Sequence, residues 1–235
     1  MTAWTITKRE FGAFFKSPVA YVVLGAFAPL VGYLFFSSFF LVNNASMEGF
    51  FGSMPFLLLF FCPAIAMRLL AEERGQGTVE LLLTMPVRES EVVIGKYLAA
   101  LGVLAVGLLI TLPFALTVGK LGPLDLGPVI GGYLGTLLLG GLYLAVGLFT
   151  SALTKNQVVA YILGLAICLA LYLMGIFYAS AGPVIGPILE YASPAYQFQK
   201  ITRGVIELRN LVYYLSVIAL LLVVSVQTLE ARKWK

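Results

Sequence analysis

From Pro18 to Met47 the chain carries no formal charge. That is roughly 30 residues, where about 20 let a helix cross the hydrocarbon core of a bilayer. Lipid offers no partner to backbone N–H and C=O groups, so a spanning segment of this kind has to be helical. Comparable apolar stretches recur along the chain and predict spans at about 19–42, 50–70, 92–118, 126–153, 157–181 and 211–229. The expected fold class is all-α integral membrane, with six transmembrane helices and the whole of residues 1–235 as one transmembrane domain.

Composition removes most other classes. Hydrophobic residues make up 60% and charged residues 11% of the 235, against roughly 45–50% and 25% in soluble domains. A soluble core could not hide that much apolar surface. No basic patch suited to nucleic acid is found, so no nucleic-acid partner is expected. The absence of histidine removes the commonest general base and metal ligand. Cys62 and Cys168 fall far apart in apolar runs and read as small buried hydrophobes, leaving no metal site and no catalytic residue to nominate. Asp125, the only aspartate, lies in a turn with Pro123 and Pro128. An intramembrane enzyme is therefore disfavoured.

In chain order, residues 1–17 place Trp4, Phe11, Phe14 and Phe15 near one face with Lys8, Arg9, Glu10 and Lys16 between them, the pattern of an interfacial helix. A secretory signal is the rival reading, but the apolar run that follows is too long and shows no clear small-residue cleavage site. Asn43, Asn44 and Ser46 make the first turn. Pro63 is expected to kink or break the second span, since proline removes one backbone bond and clashes with the preceding turn. Gly127, Gly131 and Gly135 recur at four-residue spacing in the fourth span. Such a ridge lets a helix approach closely, either within the bundle or across a dimer seam. Between the fifth and sixth spans, residues 182–209 form an external amphipathic segment: Ser193 can cap, Pro194 can start a helix, and Phe198, Ile201, Val205 and Leu208 share a face, with Gln199, Lys200, Arg203 and Glu207 elsewhere.

Six spans put both termini on one side. Lys8, Arg9, Lys16, Arg68, Arg74, Arg88, Lys96, Lys155, Arg232, Lys233 and Lys235 fall on that side, which makes it cytoplasmic. Lys120 falls outside, and Lys200, Arg203 and Arg209 run against the rule.

The longest recurrently charged run is Ala71 to Lys96. Gly75 and Gly77 free the backbone, Thr78 can cap a short helix with Glu80 in its first turn, and Pro86 ends it. Ser90 followed by Glu91 reads as the cap of the third span. The run is either a rigid lever for a partner's groove or a solvated, charge-balanced loop, and composition does not separate the two.

The order Glu73-Arg74, Gly77-Thr78, Glu80, Leu82, Pro86-Val87, Glu91 and Gly95-Lys96 resembles the signature of type-2 ABC transporter permeases, specifically the six-span subunits of the gliding-motility (Gld-type) and NosY-like kind. Lys8-Arg9-Glu10-Phe11 with Ser17-Pro18 and Tyr21 resembles their start, and Ser193-Pro194 through Arg203-Gly204-Val205 with Tyr213-Tyr214 their last external segment. Gly75-Gln76 departs from the pattern, because related proteins often carry a further charge there.

The resemblance implies a permease subunit of an ATP-driven exporter. Its segment 72–90 would hold the coupling helix, around Thr78 to Met85, docking on a separate ATPase subunit through Glu72, Glu73, Arg74, Gly77, Thr78, Glu80, Leu82 and Pro86. It further implies a second copy or paralogue, lipid contacts, a bacterial inner-membrane location, and no cofactor in this chain, with ATP and Mg on the partner. No phosphate loop is present: Gly95-Lys96 is followed by Tyr97 and Gly119-Lys120 by Leu121, so neither completes G-x-x-x-x-G-K-[ST]. A secondary transporter or channel working without an ATPase is the alternative, and the spans are nearly free of the ionisable groups such proteins use.

Overall fold

The computed structural model describes residues 2–42, 46–77, 88–180, 182–205 and 207–231. Ten α-helices follow one another among them: α1 (Ala3–Lys16), α2 (Pro18–Val42), α3 (Glu48–Ala66), α4 (Arg68–Gly75), α5 (Glu89–Leu121), α6 (Leu126–Leu153), α7 (Gln157–Phe177), α8 (Gly182–Ala192), α9 (Pro194–Thr202) and α10 (Leu208–Glu230). A 3₁₀ turn, Tyr178–Ser180, joins α7 to α8, and there is no strand among the described residues. Six helices are long and apolar enough to cross a membrane, with α3 and α4 acting together as one of them.

Helix α6 is the axle. Its apolar window is 78% buried, against 17% for α7 and α10 and 22% for α2. Glycines explain how one helix can be surrounded so closely: a Cβ on Gly132 would strike the Phe51 ring, on Gly140 the Leu104 side chain, and on Gly147 the Cβ of Ala66 at 2.6 Å. Helices α3, α5 and α9 therefore press against bare backbone, the form that packing takes where lipid removes the hydrophobic drive between helices. At 1.5 Å per residue, the 28 residues of α6 reach about 42 Å, longer than the ~30 Å core, so both its ends stand at or beyond the membrane faces.

Local chemistry sets several of the boundaries. Asp125 caps α6 by accepting from the Gly127 N–H at 3.1 Å, and Asn156 caps α7 by accepting from Val158 N–H at 2.9 Å. Ser46 accepts from the Glu48 N–H at 3.1 Å ahead of α3; Asn43 and Asn44, read as the same turn, lie outside the described residues.

Several expectations are corrected. Helix α3 runs through Pro63 and is interrupted only at Met67. The ring is held between two bare helices: a Cβ on Gly147 would meet Pro63 Cα and a Cβ on Gly164 would meet Pro63 Cβ, each at 3.3 Å. Ser90 does not cap α5, whose N-cap is Arg88, with Glu89 already helical. Trp4 is 64% exposed while Phe14 is buried, so Trp4 is off the packed face of α1; Ile6 takes its place against Gly95. The helix expected to open at Ser193-Pro194 ends at Thr202, because Gly204 turns the chain at φ +87, and Val205 and Leu208 are exposed rather than continuing the face of Phe198 and Ile201. Helix α7 ends at Phe177, short of residue 181, and α10 begins at Leu208, inside the segment read as external.

Candidate functional site

Charge gathers at one end of the axle, where Ser151 and Ala152 close α6. The joint between α3 and α4 is built on Ser151. Its hydroxyl accepts from the Leu70 N–H at 3.0 Å and the Ala71 N–H at 2.9 Å, and donates to the Met67 carbonyl at 2.9 Å. A side chain from another helix thus stands in for ladder bonds, one of the few physical causes of a helix interruption. Met67 keeps helical dihedrals, φ −54 and ψ −33, so the rod changes its bonding more than its course.

One turn further on, α4 is tied to the same end of α6. The buried Arg74 donates to the Ala152 carbonyl. A Cβ on Gly75 would meet the Lys155 carbonyl oxygen at 3.0 Å, so at this glycine the two backbones nearly touch. Gly77 then turns at φ +72, in the left-handed region that glycine enters without strain.

Lys96 is the hub. It lies two turns into α5, is 1% exposed, and donates to Glu73 Oε1 at 2.8 Å and to Glu10 Oε2 at 3.2 Å. Arg9 donates to the other Glu10 oxygen at 2.9 Å. Three helices, α1, α4 and α5, thereby share one buried ammonium. A second set flanks it: Arg68 donates to Glu72 at 3.0 Å and to Ser17 Oγ at 3.0 Å, with its guanidinium 5.8 Å from the Phe14 ring centre. Between the two sets a cleft of about 200 Å³ opens, lined by Glu10, Phe14, Arg68, Glu72, Glu73 and Lys96. Steric fit brings α1 there, since a Cβ on Gly95 would strike Ile6 at 2.8 Å and one on Gly102 the Phe11 ring at 3.0 Å.

Burial raises the Glu10 carboxyl, but the Lys96 charge, together with the bonds from Arg9 and Lys96, outweighs burial and holds the group below its ordinary 4.5. A depressed carboxyl favours the native state while ionised, so this contribution is full above the ordinary value and is lost as pH falls through the lower folded value. Between about pH 6 and about pH 3 the unfolding temperature of the wild type should therefore fall more steeply than that of Glu10→Gln. Differential scanning fluorimetry in detergent reads the difference, and parallel curves would remove Glu10 from the account.

Of the residues read as coupling, Glu72, Glu73 and Arg74 occupy the last turns of α4 and Gly77 the turn after it. Thr78, Glu80, Leu82 and Pro86, with the short helix expected around them, lie outside the described residues. Lys96, Glu10, Arg68, Ser17 and Ser151 complete the site and were named in no sequence-level site. Glu10, Ser17 and Lys96 stand within the quoted motifs; the only signal for Ser151 is a hydroxyl, beside that of Thr150, in the last turn of a largely apolar span.

At the opposite end, Gly131 faces the Ile201 carbonyl of α9, and a Cβ on Gly135 would meet Phe198 at 3.1 Å, while one on Gly127 would find only the Asp125 carboxylate at 3.4 Å. Ser193 caps α9 by accepting from the Tyr196 N–H at 3.3 Å, and Pro194 is its first residue. The Tyr214 hydroxyl donates to the Pro194 carbonyl at 2.7 Å, tying α9 to α10. Arg203, at the end of α9, is exposed.

Six apolar helices among the described residues, one of them a glycine-lined axle for the rest, with the ion-paired joint at one end, define a multi-pass α-helical membrane protein. Within that class the chain belongs to the ABC-2 family transporter proteins, whose family pattern it matches over residues 4–232. It is accordingly a membrane transport subunit of the ABC type, a domain without an ATPase site of its own, in a family that normally works with an ABC ATPase subunit. No curated protein matches the chain.

Proposed function

We propose that the chain is the permease subunit of an ATP-driven exporter, of the Gld-type and NosY-like kind, and that residues 72–90 relay the work of a separate ATPase subunit into the bundle. One observation carries this reading: both flanks of residues 78–87 are tied to the same buried ammonium, Glu73 from the α4 side and Lys96 itself from the α5 side. A push on the intervening segment reaches α4 and α5 together. Through Arg74 and Ala152 it reaches the axle, and through Glu10 it reaches α1. Lys8, Arg9, Lys16, Arg68, Arg74, Arg88, Lys96 and Lys155 all belong to this end, which the positive-inside rule makes cytoplasmic, in a bacterial inner membrane with both termini inside. Two such subunits, identical or paralogous, would enclose the pathway, with ATP and Mg on the partner.

Charge reversal at Glu80, or Leu82→Pro, should uncouple transport and weaken retention of the ATPase while leaving the membrane domain folded. Co-purification of the ATPase and transport in proteoliposomes are the two readouts. Normal transport with the ATPase still bound would overturn the proposal.

A further inference from the structure

Lys200, Arg203 and Arg209 are the cations that run against the charge rule. They stand at the end of α6 remote from the Lys96 hub: α9 meets the axle at Gly131, five residues along from Leu126, or about 8 Å from the start of a helix that overshoots the hydrocarbon by about 6 Å at each face. That depth is the headgroup boundary. The rings there fit it. Lys200 Nζ lies 4.6 Å over the Tyr196 ring and the Arg209 guanidinium 4.6 Å over the Tyr191 ring. Tyr196 packs on Tyr178 and Tyr191 on Tyr213. Tyrosines of this kind mark the membrane interface, and a cation held over a ring keeps its full charge and its outward donors.

Among the described residues none of the three cations has a carboxylate within ion-pair range. Of the nearby acids, Glu190 bears on Tyr196 and raises its hydroxyl above the ordinary range, and Glu207 sits at the N-cap of α10, where the helix dipole favours a negative charge. Arg203 and Arg209 are exposed. We propose that Lys200, Arg203 and Arg209 form a collar that binds the phosphate headgroups of anionic lipids at the membrane face opposite the Lys96 cluster. Arginine meets a phosphate with paired N–H donors, and the tyrosine edges keep the cations level with the headgroups. The proposal needs only the bundle's passage through a bilayer and is independent of ATPase coupling.

The test uses the full chain purified in detergent and titrated with phosphatidylglycerol or phosphatidylcholine, with retained lipids counted by native mass spectrometry. Wild type should retain phosphatidylglycerol preferentially. The preference should fall roughly fivefold for each cation removed, as expected for a basic residue at an anionic surface, in the triple variant Lys200→Gln, Arg203→Gln, Arg209→Gln. Lys8→Gln with Lys16→Gln, at the other end, should leave this component in place. Arg203→Gln alone removes an exposed side chain at a helix end, so its single step remains readable should the triple variant not fold. Unchanged preference in Arg203→Gln and the triple variant would overturn the collar. Equal competition by free glycerol phosphate would overturn the lipid assignment.

Discussion

Lys96→Met should lower the unfolding temperature of the detergent-solubilised protein by about 6 to 12 °C. The side chain is almost fully enclosed and holds two carboxylates, Glu73 at 2.8 Å and Glu10 at 3.2 Å. Methionine keeps nearly the same length and fills the same space, so packing is conserved and only the charge goes. What remains is two acids facing one another beside a cleft, with the ammonium between them gone and Arg9 still bonded to Glu10. Removing one partner from a buried ion pair costs about 3 to 5 kcal/mol, and at roughly 2 to 4 °C per kcal/mol for a chain of this size the lower end of that cost gives the stated shift. The double variant Lys96→Met, Glu10→Gln should recover part of the loss, because one of the two like charges left facing each other disappears with the ammonium. That non-additivity separates an ion-pair effect from a general loosening of α5. A wild-type melting curve for Lys96→Met would mean that α1, α4 and α5 are held together by apolar packing alone.

The parts of this molecule that lipid dictates were legible in the sequence. A spanning helix must be long and apolar, and the six that the structure contains follow the charge-free stretches to within a few residues at most ends. Caps were legible in part: Ser193 and Pro194 act within one turn of their own helix, whereas Ser90 lies inside α5, whose N-cap is Arg88. The joint was not. Ser151 meets Leu70 and Ala71 from 81 and 80 positions away, and no local pattern announces that a hydroxyl will replace ladder bonds of another helix. The absence of a break at Pro63 was illegible for the same reason. The proline's local effect is to weaken a helix, yet glycines 84 and 101 positions further on make room for its ring and hold the helix through it. The Lys96 hub likewise joins Glu10 and Glu73 from separate helices, and a lysine near the start of a span reads in sequence as one more positive-inside charge.

The glycine ridge of α6 supplies the second large effect, because its three members have different neighbours. Gly131→Ala would drive a methyl group into the Ile201 carbonyl, which is backbone and cannot turn aside. Helix α9 must then move off the axle, and overpacking of this kind costs about 1 to 3 kcal/mol or more. The unfolding temperature should drop by about 5 to 10 °C, with α9 more accessible to solvent in hydrogen exchange. At Gly135 the added atom would meet the Phe198 ring at 3.1 Å and Ile201 Cγ2 at 3.3 Å. Those side-chain atoms can shift by a few tenths of an ångström, so the cost of Gly135→Ala should stay below about 1 kcal/mol. Gly127→Ala meets only the capping Asp125 carboxylate oxygen, at 3.4 Å in ordinary van der Waals contact, and its effect should lie within about 0.5 kcal/mol of zero. The expected order of damage is therefore Gly131, Gly135, Gly127, the order in which a clash with α9 backbone gives way to tight side-chain contact and then to ordinary van der Waals contact. A seam between two copies built on the same ridge would penalise all three similarly and would reduce dimer recovery on size exclusion with Gly127→Ala. That outcome would show the ridge to be shared with a neighbouring subunit rather than filled by α9.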